Sequence, residues 1–202
     1  MTVRVRLCSL GWLQVGRMFF LLAGTASLGY AAWVLADQYA HQRRMAESFE
    51  QSRHESGPNP LRAVVDQRAF PARLTIARLG VSVMIEEGVT FGILRRSAGH
   101  IPGTAVPGQL GNVGVAAHRD TLFRGLKDIR KADLIQVSTI TKEFKYQVTD
   151  ILIVNPTDVG VLSPSEGRNT LTLVTCYPFN FIGNAPRRFI VQATQVGELA
   201  AK

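Results

Sequence analysis

Cysteine is scarce in this chain, which limits how covalent bonds could stabilise the fold. Cys8 and Cys176 are the two cysteines among 202 residues. They flank the long apolar run, so they can never pair if that run spans a membrane. No group of histidines, cysteines and acids has metal-ligand spacing, and His41 and His54 are expected to be solvated. The sequence therefore predicts no metal, Ca²⁺ included, and no other cofactor.

Dense basic segments are also missing, although the chain as a whole is basic. Lysine and arginine outnumber aspartate and glutamate by 23 to 15, which gives a formal net charge of +8. These residues are scattered, and no stretch interleaves them with aromatic side chains as single-strand binders do. We therefore expect no nucleic-acid partner.

Acidic residues are absent from the beginning of the chain, where an apolar run follows three arginines. The run from Met18 to Ala36 contains 19 residues and no charge. As a helix it would be about 28 Å long, close to the hydrocarbon thickness of a bilayer. Arg4, Arg6 and Arg17 precede it, and positive residues favour the cytoplasmic side. The run is therefore predicted to cross the cell membrane once.

These features divide the chain into four predicted parts. They are a cytoplasmic N-terminus (1–17), a transmembrane signal anchor (18–36), a stalk (37–68) and one extracytoplasmic domain (69–202). The last part is long enough to bury a core of its own. The Gly/Pro-rich segment 56–60 should end any helix that extends from the span. A cleaved signal peptide is the alternative to an anchor, because Val34-Leu35-Ala36 offers small residues at suitable positions.

Short alternating stretches of β-branched and aliphatic residues dominate the predicted domain. Strands are predicted at 74–76, 81–85, 113–117, 134–137, 144–148 with 151–154, 172–175 and 188–191, and short helices near 91–94 and 159–162. A further short helix should begin at Thr121 with Asp120 as its cap. His100 falls in a long irregular region, residues 86–112, as a loop or packing histidine. Many short strands with few helices predict an all-β, closed or near-closed barrel.

Two predicted strand ends carry residues that suit a thiol site. Cys176 follows the strand 172–175, and the chain returns after a turn-rich segment through a strand that begins with Arg188. His118 follows the apolar strand 113–117. A thiol is a useful nucleophile only as a thiolate, which needs a nearby cation or base. A Cys176/His118 dyad is therefore possible, whereas a lone cysteine is commonly a buried, inert residue.

At these residues the chain resembles the sortases, whose signature around the nucleophile is Thr-Leu-x-Thr-Cys. The signature stands here in full at residues 172–176, with His118 in an Ala-His-Arg context upstream and Arg188 on the following strand. The string Cys-Tyr-Pro-Phe at 176–179, followed by 185–191, looks most like the class D group. The resemblance covers about residues 69–196. It implies a closed eight-stranded sortase-type β-barrel.

The resemblance also implies a cysteine transpeptidase. Cys176 would attack the carbonyl after threonine in a Leu-Pro-x-Thr-Gly or Leu-Pro-x-Thr-Ala sorting motif of a secreted protein and form a thioester. His118 would transfer protons, Arg188 would hold the substrate and the oxyanion, and Thr175 would shape the substrate pocket. The acceptor would be an amine of a peptidoglycan precursor or of a pilin lysine. Strand alternation sends Arg187 to the opposite face from Arg188.

Two other functions remain open from the sequence. One is an extracytoplasmic thiol peptidase that releases peptides to water. The other is a membrane-tethered barrel that binds a partner without catalysis. The complete set of cysteine, histidine and arginine argues against the binding module, which would not need all three.

Overall fold

Two compact units make up the molecule, Met1–Ala40 and His41–Lys202. The computed structural model describes residues 7–55, 70–164, 167–181 and 183–200. One helix, α1 (Leu7–Glu55), contributes residues to both units. The predicted helix stop at 56–60 lies outside the described residues.

The first unit is helical and exposes its apolar side chains. Phe20 and Leu22, for example, are 75% and 70% exposed. Among the described residues, α1 is the one helix long and apolar enough to cross a membrane, judged by length and composition alone. Its apolar stretch includes the predicted span 18–36. Large exposed apolar surfaces are typical of contact with lipid or with another protein.

The second unit is a β-barrel. Its strands are β1 (Ala72–Ile76), β2 (Val81–Glu87), β3 (Ala98–His100), β4 (Gly111–Ala116), β5 (Leu134–Ser138), β6 (Lys142–Val154), β7 (Asn169–Tyr177) and β8 (Arg187–Ala200). They close in the order β1-β2-β3-β4-β7-β8-β6-β5. The pairs β2/β3 and β4/β7 are parallel. Closure gives each strand two hydrogen-bonded neighbours and removes free edges. The predicted all-β closed eight-stranded barrel is confirmed.

Strand alternation fills the barrel interior. On β7, Leu171 and Leu173 point inward and are fully buried, next to Val113 and Val115 of β4. Side chains at every second position of a strand share one face. Burial of each such aliphatic side chain stabilises the fold by about 1.5–3 kcal/mol relative to exposure. The apolar residues that predicted the strands therefore also form the core.

The shortest strand, β3, was not predicted. Its sequence Ala-Gly-His has no alternating apolar pattern, and it forms through its two neighbours, β2 and β4. A Cβ on Gly99 would lie 2.2 Å from the carbonyl oxygen of Gly88, so glycine is required for this approach. His100 is thus a strand residue, 2% exposed, and its Nδ1 lies 2.8 Å from Oε2 of Glu87. It packs at the barrel end and has the predicted packing role.

The short helices agree only partly with prediction. Helix α2 (Phe91–Leu94) and the 3₁₀ helix Val159–Leu162 lie where the sequence predicted them. A 3₁₀ helix at Ala77–Leu79 joins β1 to β2. The helix after His118 covers Arg124–Asp128 and has Phe123 at its N-cap. The prediction that it begins at Thr121 with an Asp120 cap is therefore wrong.

The part of α1 in the second unit, residues 41–55, packs on the barrel instead of standing free. Phe49 is 1% exposed, and the guanidinium of Arg73 on β1 lies 5.3 Å from its ring centroid. Gln42 accepts a hydrogen bond from the backbone of Met84 at 2.8 Å. His41 lies 2.9 Å from Glu86, so the prediction that it is solvated is wrong, since a β2 side chain binds it.

Phe49→Ala should destabilise the barrel by about 3 kcal/mol, because large-to-small changes at buried aromatic positions cost roughly 3–5 kcal/mol. Urea denaturation of the detergent-solubilised chain, followed by fluorescence, would measure this. Gln51, exposed in the same segment, is the matched control, and Gln51→Ala should leave the midpoint unchanged. Equal midpoints for the two variants would show that this segment does not stabilise the barrel.

Candidate active site

Cys176 is the next-to-last residue of β7. It follows Thr175, whose side chain is inside the barrel and 2% exposed. Alternation therefore directs Cys176 to the outer face. The thiol is not in a disulfide, and the residue is half-buried. The cysteine is thus partly accessible at the end of a strand.

His118 follows the end of β4, at the same end of the barrel as Cys176. Strands β4 and β7 run parallel with Ala116 across from Val174. His118 and Cys176 each follow these partners by two residues, and His118 is half-buried. The backbone carbonyl of His118 accepts a hydrogen bond from Phe123 N at 3.0 Å. This bond fixes the turn that leaves β4.

Thr175 links the ends of β4 and β7 by a hydrogen bond inside the barrel. Its hydroxyl donates to the carbonyl of Ala117 at 2.7 Å, and Ala117 N donates to the carbonyl of Val174 at 3.2 Å. These two hydrogen bonds fix the distance between the end of β7, which carries Cys176, and Ala117, the residue before His118. Thr175 faces the barrel interior, so its contact here supports the strand ends. Its predicted part in substrate binding stays a prediction.

Arg188 stands across from Cys176. In the antiparallel β7/β8 pair, Cys176 faces Arg188, and Tyr177 faces Arg187. Directly opposed residues on neighbouring strands share a face, with Cβ atoms about 4.5–5.5 Å apart. Arg188 is half-buried and Arg187 is exposed. The guanidinium Nη1 of Arg188 donates to the carbonyl of Ala185 at 3.3 Å and to that of Arg187 at 3.1 Å.

Three aromatic rings pack against one another next to the site. Phe179 lies 5.1 Å from Phe189 in an edge-to-face arrangement, and Tyr177 stacks on Phe189 at 6.2 Å. Such pairs add to the stabilisation from burial alone. They hold together the end of β7 and the start of β8. The strand segments that carry Cys176 and Arg188 are therefore packed from inside.

A 3₁₀ helix covers the outer face of β4 and β7 farther from the site. Thr172, on the same face as Cys176, is 1% exposed, and its hydroxyl donates to Oδ1 of Asn112 at 2.8 Å. Nδ2 of Asn112 donates in turn to the carbonyl of Val161 at 3.1 Å. This helix buries the middle of the face and leaves its Cys176 end accessible.

Arg119 makes long-range contacts next to the thiol site that the sequence reasoning missed. Its Nη2 donates to the carbonyls of Phe181 and Gly183, at 2.6 and 3.1 Å. Its Cζ lies 5.9 Å from the Phe181 ring centroid. The arginine directly after His118 was the available signal, but the positions of its partners 62 and 64 residues away could not be read from it.

No set of metal ligands is found in the described part of this region. Within the ranges that the structure describes, no three histidine, cysteine or acidic side chains are grouped as metal ligands. The chemistry that the arrangement supports is that of a thiol with a histidine and an arginine on flanking strands.

A family profile described as a sortase domain matches residues 74–196. The chain belongs to the sortase family. Sortases are cysteine transpeptidases, and this sortase is therefore an enzyme of that type. The match runs from Leu74 in β1 to Val196 in β8 and includes all the residues of the thiol site.

Known sortases are similar to this one along most of its length. Sortase D of Bacillus subtilis is 25% identical over 191 residues, which cover 89% of this chain and 96% of the relative. A Sortase D5 transpeptidase of Clostridium perfringens superposes with a TM-score of 0.63 at 27% identity, covering 80% of this chain and 99% of that structure. Sortase E1 of Streptomyces coelicolor, solved with a tripeptide in the active site, gives 0.57 at 33% identity, covering 64% and 89%. The predicted resemblance to sortases, with class D among them, is confirmed.

The register across β7 and β8 makes a prediction that separates the two arginines. Arg188→Ala should lower kcat/KM on a sorting-motif peptide by a factor on the order of a hundred to a thousand, the size expected when one oxyanion donor is lost. Arg187→Ala is the matched control and should stay near wild type. Arg188→Lys should restore activity only in part, because lysine lacks the planar fork. Loss of activity in the Arg187 variant alone would contradict the assignment.

Proposed function

We propose that this sortase is a membrane-anchored transpeptidase that cleaves an LPxT-type sorting motif of secreted proteins. The acyl group passes to an amine of a peptidoglycan precursor or of a pilin lysine, so that the secreted protein is anchored at the cell surface. The observation that carries this proposal is the register of β7, which has Arg188 of β8 opposite Cys176 on one side and, on the other, β4, the strand that leads into His118. A nucleophile, a proton carrier and an oxyanion partner are what acyl transfer requires.

In the first half-reaction, the Cys176 sulfur, as a thiolate, attacks the carbonyl carbon of the threonine in the motif. The carbonyl oxygen becomes an oxyanion, and the Arg188 guanidinium stabilises it by charge and hydrogen bonding. The C–N bond then breaks as His118 donates a proton to the leaving amine. The threonyl carbonyl remains on Cys176 as a thioester. The half-buried position of Cys176 supports this step, because the sulfur is reachable and partly screened from water.

In the second half-reaction, an amine attacks the thioester carbonyl. His118, now neutral, accepts the proton of the incoming amine, and the C–S bond breaks to restore the Cys176 thiolate. Water competes with the amine for the same carbonyl. A productive transpeptidase therefore needs the amine to bind next to the thioester. Transfer and hydrolysis are distinguished by supplying or omitting the amine.

The nucleophile assignment is tested by trapping the acyl-enzyme. Incubation with a peptide of the Leu-Pro-x-Thr-Gly or Leu-Pro-x-Thr-Ala type should add the acyl mass to Cys176, since the thioester is the covalent intermediate. Cys176→Ala should abolish cleavage and ligation while the barrel still folds. Cys8→Ala is the control and should leave both activities unchanged. Mass spectrometry of the digested enzyme locates the adduct, and an adduct elsewhere would contradict the mechanism.

Product analysis with and without an amine separates transfer from hydrolysis. With an amine acceptor present, the ligated product should dominate over the free acid. Free acid as the sole product at every amine concentration would assign the chain to the thiol peptidases. An unprocessed peptide with an intact barrel would favour a binding module.

Membrane anchoring is supported by the apolar stretch of α1, with exposed apolar side chains around it. The arginines before this stretch favour a cytoplasmic start and an extracytoplasmic catalytic domain. Protease added to intact cells should therefore remove the catalytic domain and leave a small membrane-bound fragment. An N-terminal epitope tag should resist the protease until the membrane is permeabilised. A soluble form that begins at Asp37 would overturn the anchor and indicate signal cleavage.

A further inference from the structure

The residue after His118 connects both sides of the thiol site. Arg119 leaves the turn that follows β4, and its Nη2 binds two backbone carbonyls of the connection between β7 and β8, those of Phe181 and Gly183. The same connection binds the second arginine of the site, because Arg188 Nη1 donates to the carbonyl of Ala185. One short stretch of backbone is therefore a common acceptor for Arg119 and Arg188.

The Arg119 guanidinium is held by more than its two hydrogen bonds. Its Nη1 is buried. The Phe181 ring, 5.9 Å from Cζ, adds a cation–π contact that holds the guanidinium in place.

The residues before and after His118 are both hydrogen-bonded to β7 or to the connection that follows it. The carbonyl of Ala117, before it, accepts the Thr175 hydroxyl from inside the barrel. The side chain of Arg119, after it, holds the β7–β8 connection on the outside. The hydrogen bond between Thr175 and Ala117 fixes the strand ends. The Arg119 hydrogen bonds act on the connection that also contains Ala185, whose carbonyl accepts from the Arg188 guanidinium.

We propose that Arg119 is a positioning residue, which places the Arg188 guanidinium against the reacting carbonyl by holding the Phe181 and Gly183 carbonyls. The inference rests on the proposed function of Arg188. Arg119 itself does not touch the reacting atoms. Its loss should therefore weaken stabilisation of the transition state more than binding of the peptide, so kcat and kcat/KM should fall together while KM changes little.

A double-mutant cycle in the full detergent-solubilised chain tests the proposal with a sorting-motif peptide and an amine. Arg119→Ala should lower kcat/KM roughly tenfold to a hundredfold, the size expected of a misplaced catalytic group. In an Arg188→Ala background the same change should cost less than about threefold, because coupled residues are non-additive. Arg119→Lys, with one point donor, should restore part of the activity. Arg124→Ala, an exposed arginine five positions along, should match wild type.

Two results would overturn the proposal. One is wild-type activity in Arg119→Ala, and the other is a loss of the same size with and without Arg188. If Arg119→Ala does not fold, which thermal unfolding would reveal, Arg119→Lys takes its place in the cycle. A partial loss that disappears in the Arg188→Ala background then supports positioning, and an unchanged loss refutes it.

A substrate-free measurement separates failure of this inference from failure of the proposed function. Amide hydrogen exchange over residues 183–188 should be faster in Arg119→Ala than in Arg124→Ala, because the backbone loses its guanidinium partner. Equal exchange rates in the two variants would show that Arg119 does not hold this backbone, whatever the activity. A wild-type enzyme that forms no thioester would refute the proposed function, while the exchange comparison still decides whether Arg119 holds this backbone.

Discussion

The pairing register of β7 with its two neighbours is the constraint on which the rest of the site depends. The parallel pairing with β4 brings the strand end that His118 follows to the Cys176 end of β7, and the antiparallel pairing with β8 sets Arg188 across from Cys176. A slip of one residue would turn every side chain of β7 to the other face. Cys176 would then point into the core, and Thr175 would face solvent. Burial of Leu171 and Leu173 opposes such a slip, since both would have to leave the interior.

Around this register, the fold leaves one end of one face accessible. The 3₁₀ helix Val159–Leu162 covers the middle of the outer face through bonds to Asn112 and Thr172. Gly114 permits this cover, because a Cβ there would lie 3.1 Å from Leu162. From inside, the aromatic group of Tyr177, Phe179 and Phe189 packs the strand ends. A partly exposed cysteine on a rigid strand is the outcome, which suits a nucleophile that must meet its substrate in one orientation.

The second unit also includes the last turns of α1. Phe49, Gln42 and His41 all contact barrel residues. Arg53 forms an ion pair with Glu143 of β6 at 2.8 Å. The apolar part of this contact contributes more to stability than the ion pairs, which are partly exposed and individually weak. Residues 41–55 thus act as part of the barrel unit, and the boundary between stalk and catalytic domain remains a prediction at residue 69.

Local patterns determined much of this protein. Alternating apolar residues predicted seven of the eight strands. Strand alternation put Arg187 and Arg188 on opposite faces, and the resemblance to sortases selected Arg188. The uncharged run 18–36 predicted the apolar helix. These features depend on period and composition within a few residues, which is why they can be read from one sequence. The count of eight strands came from the resemblance to sortases.

Tertiary structure decided the features whose partners are distant in the chain. The strand β3 exists because β2 and β4 supply its hydrogen bonds, and the Ala-Gly-His sequence carries no pattern of its own. Phe49 is buried by strands of the barrel, and Arg119 binds carbonyls more than 60 residues away. Each of these contacts forms only once the barrel has brought separate segments together, so propensity and spacing along the chain contain no trace of them.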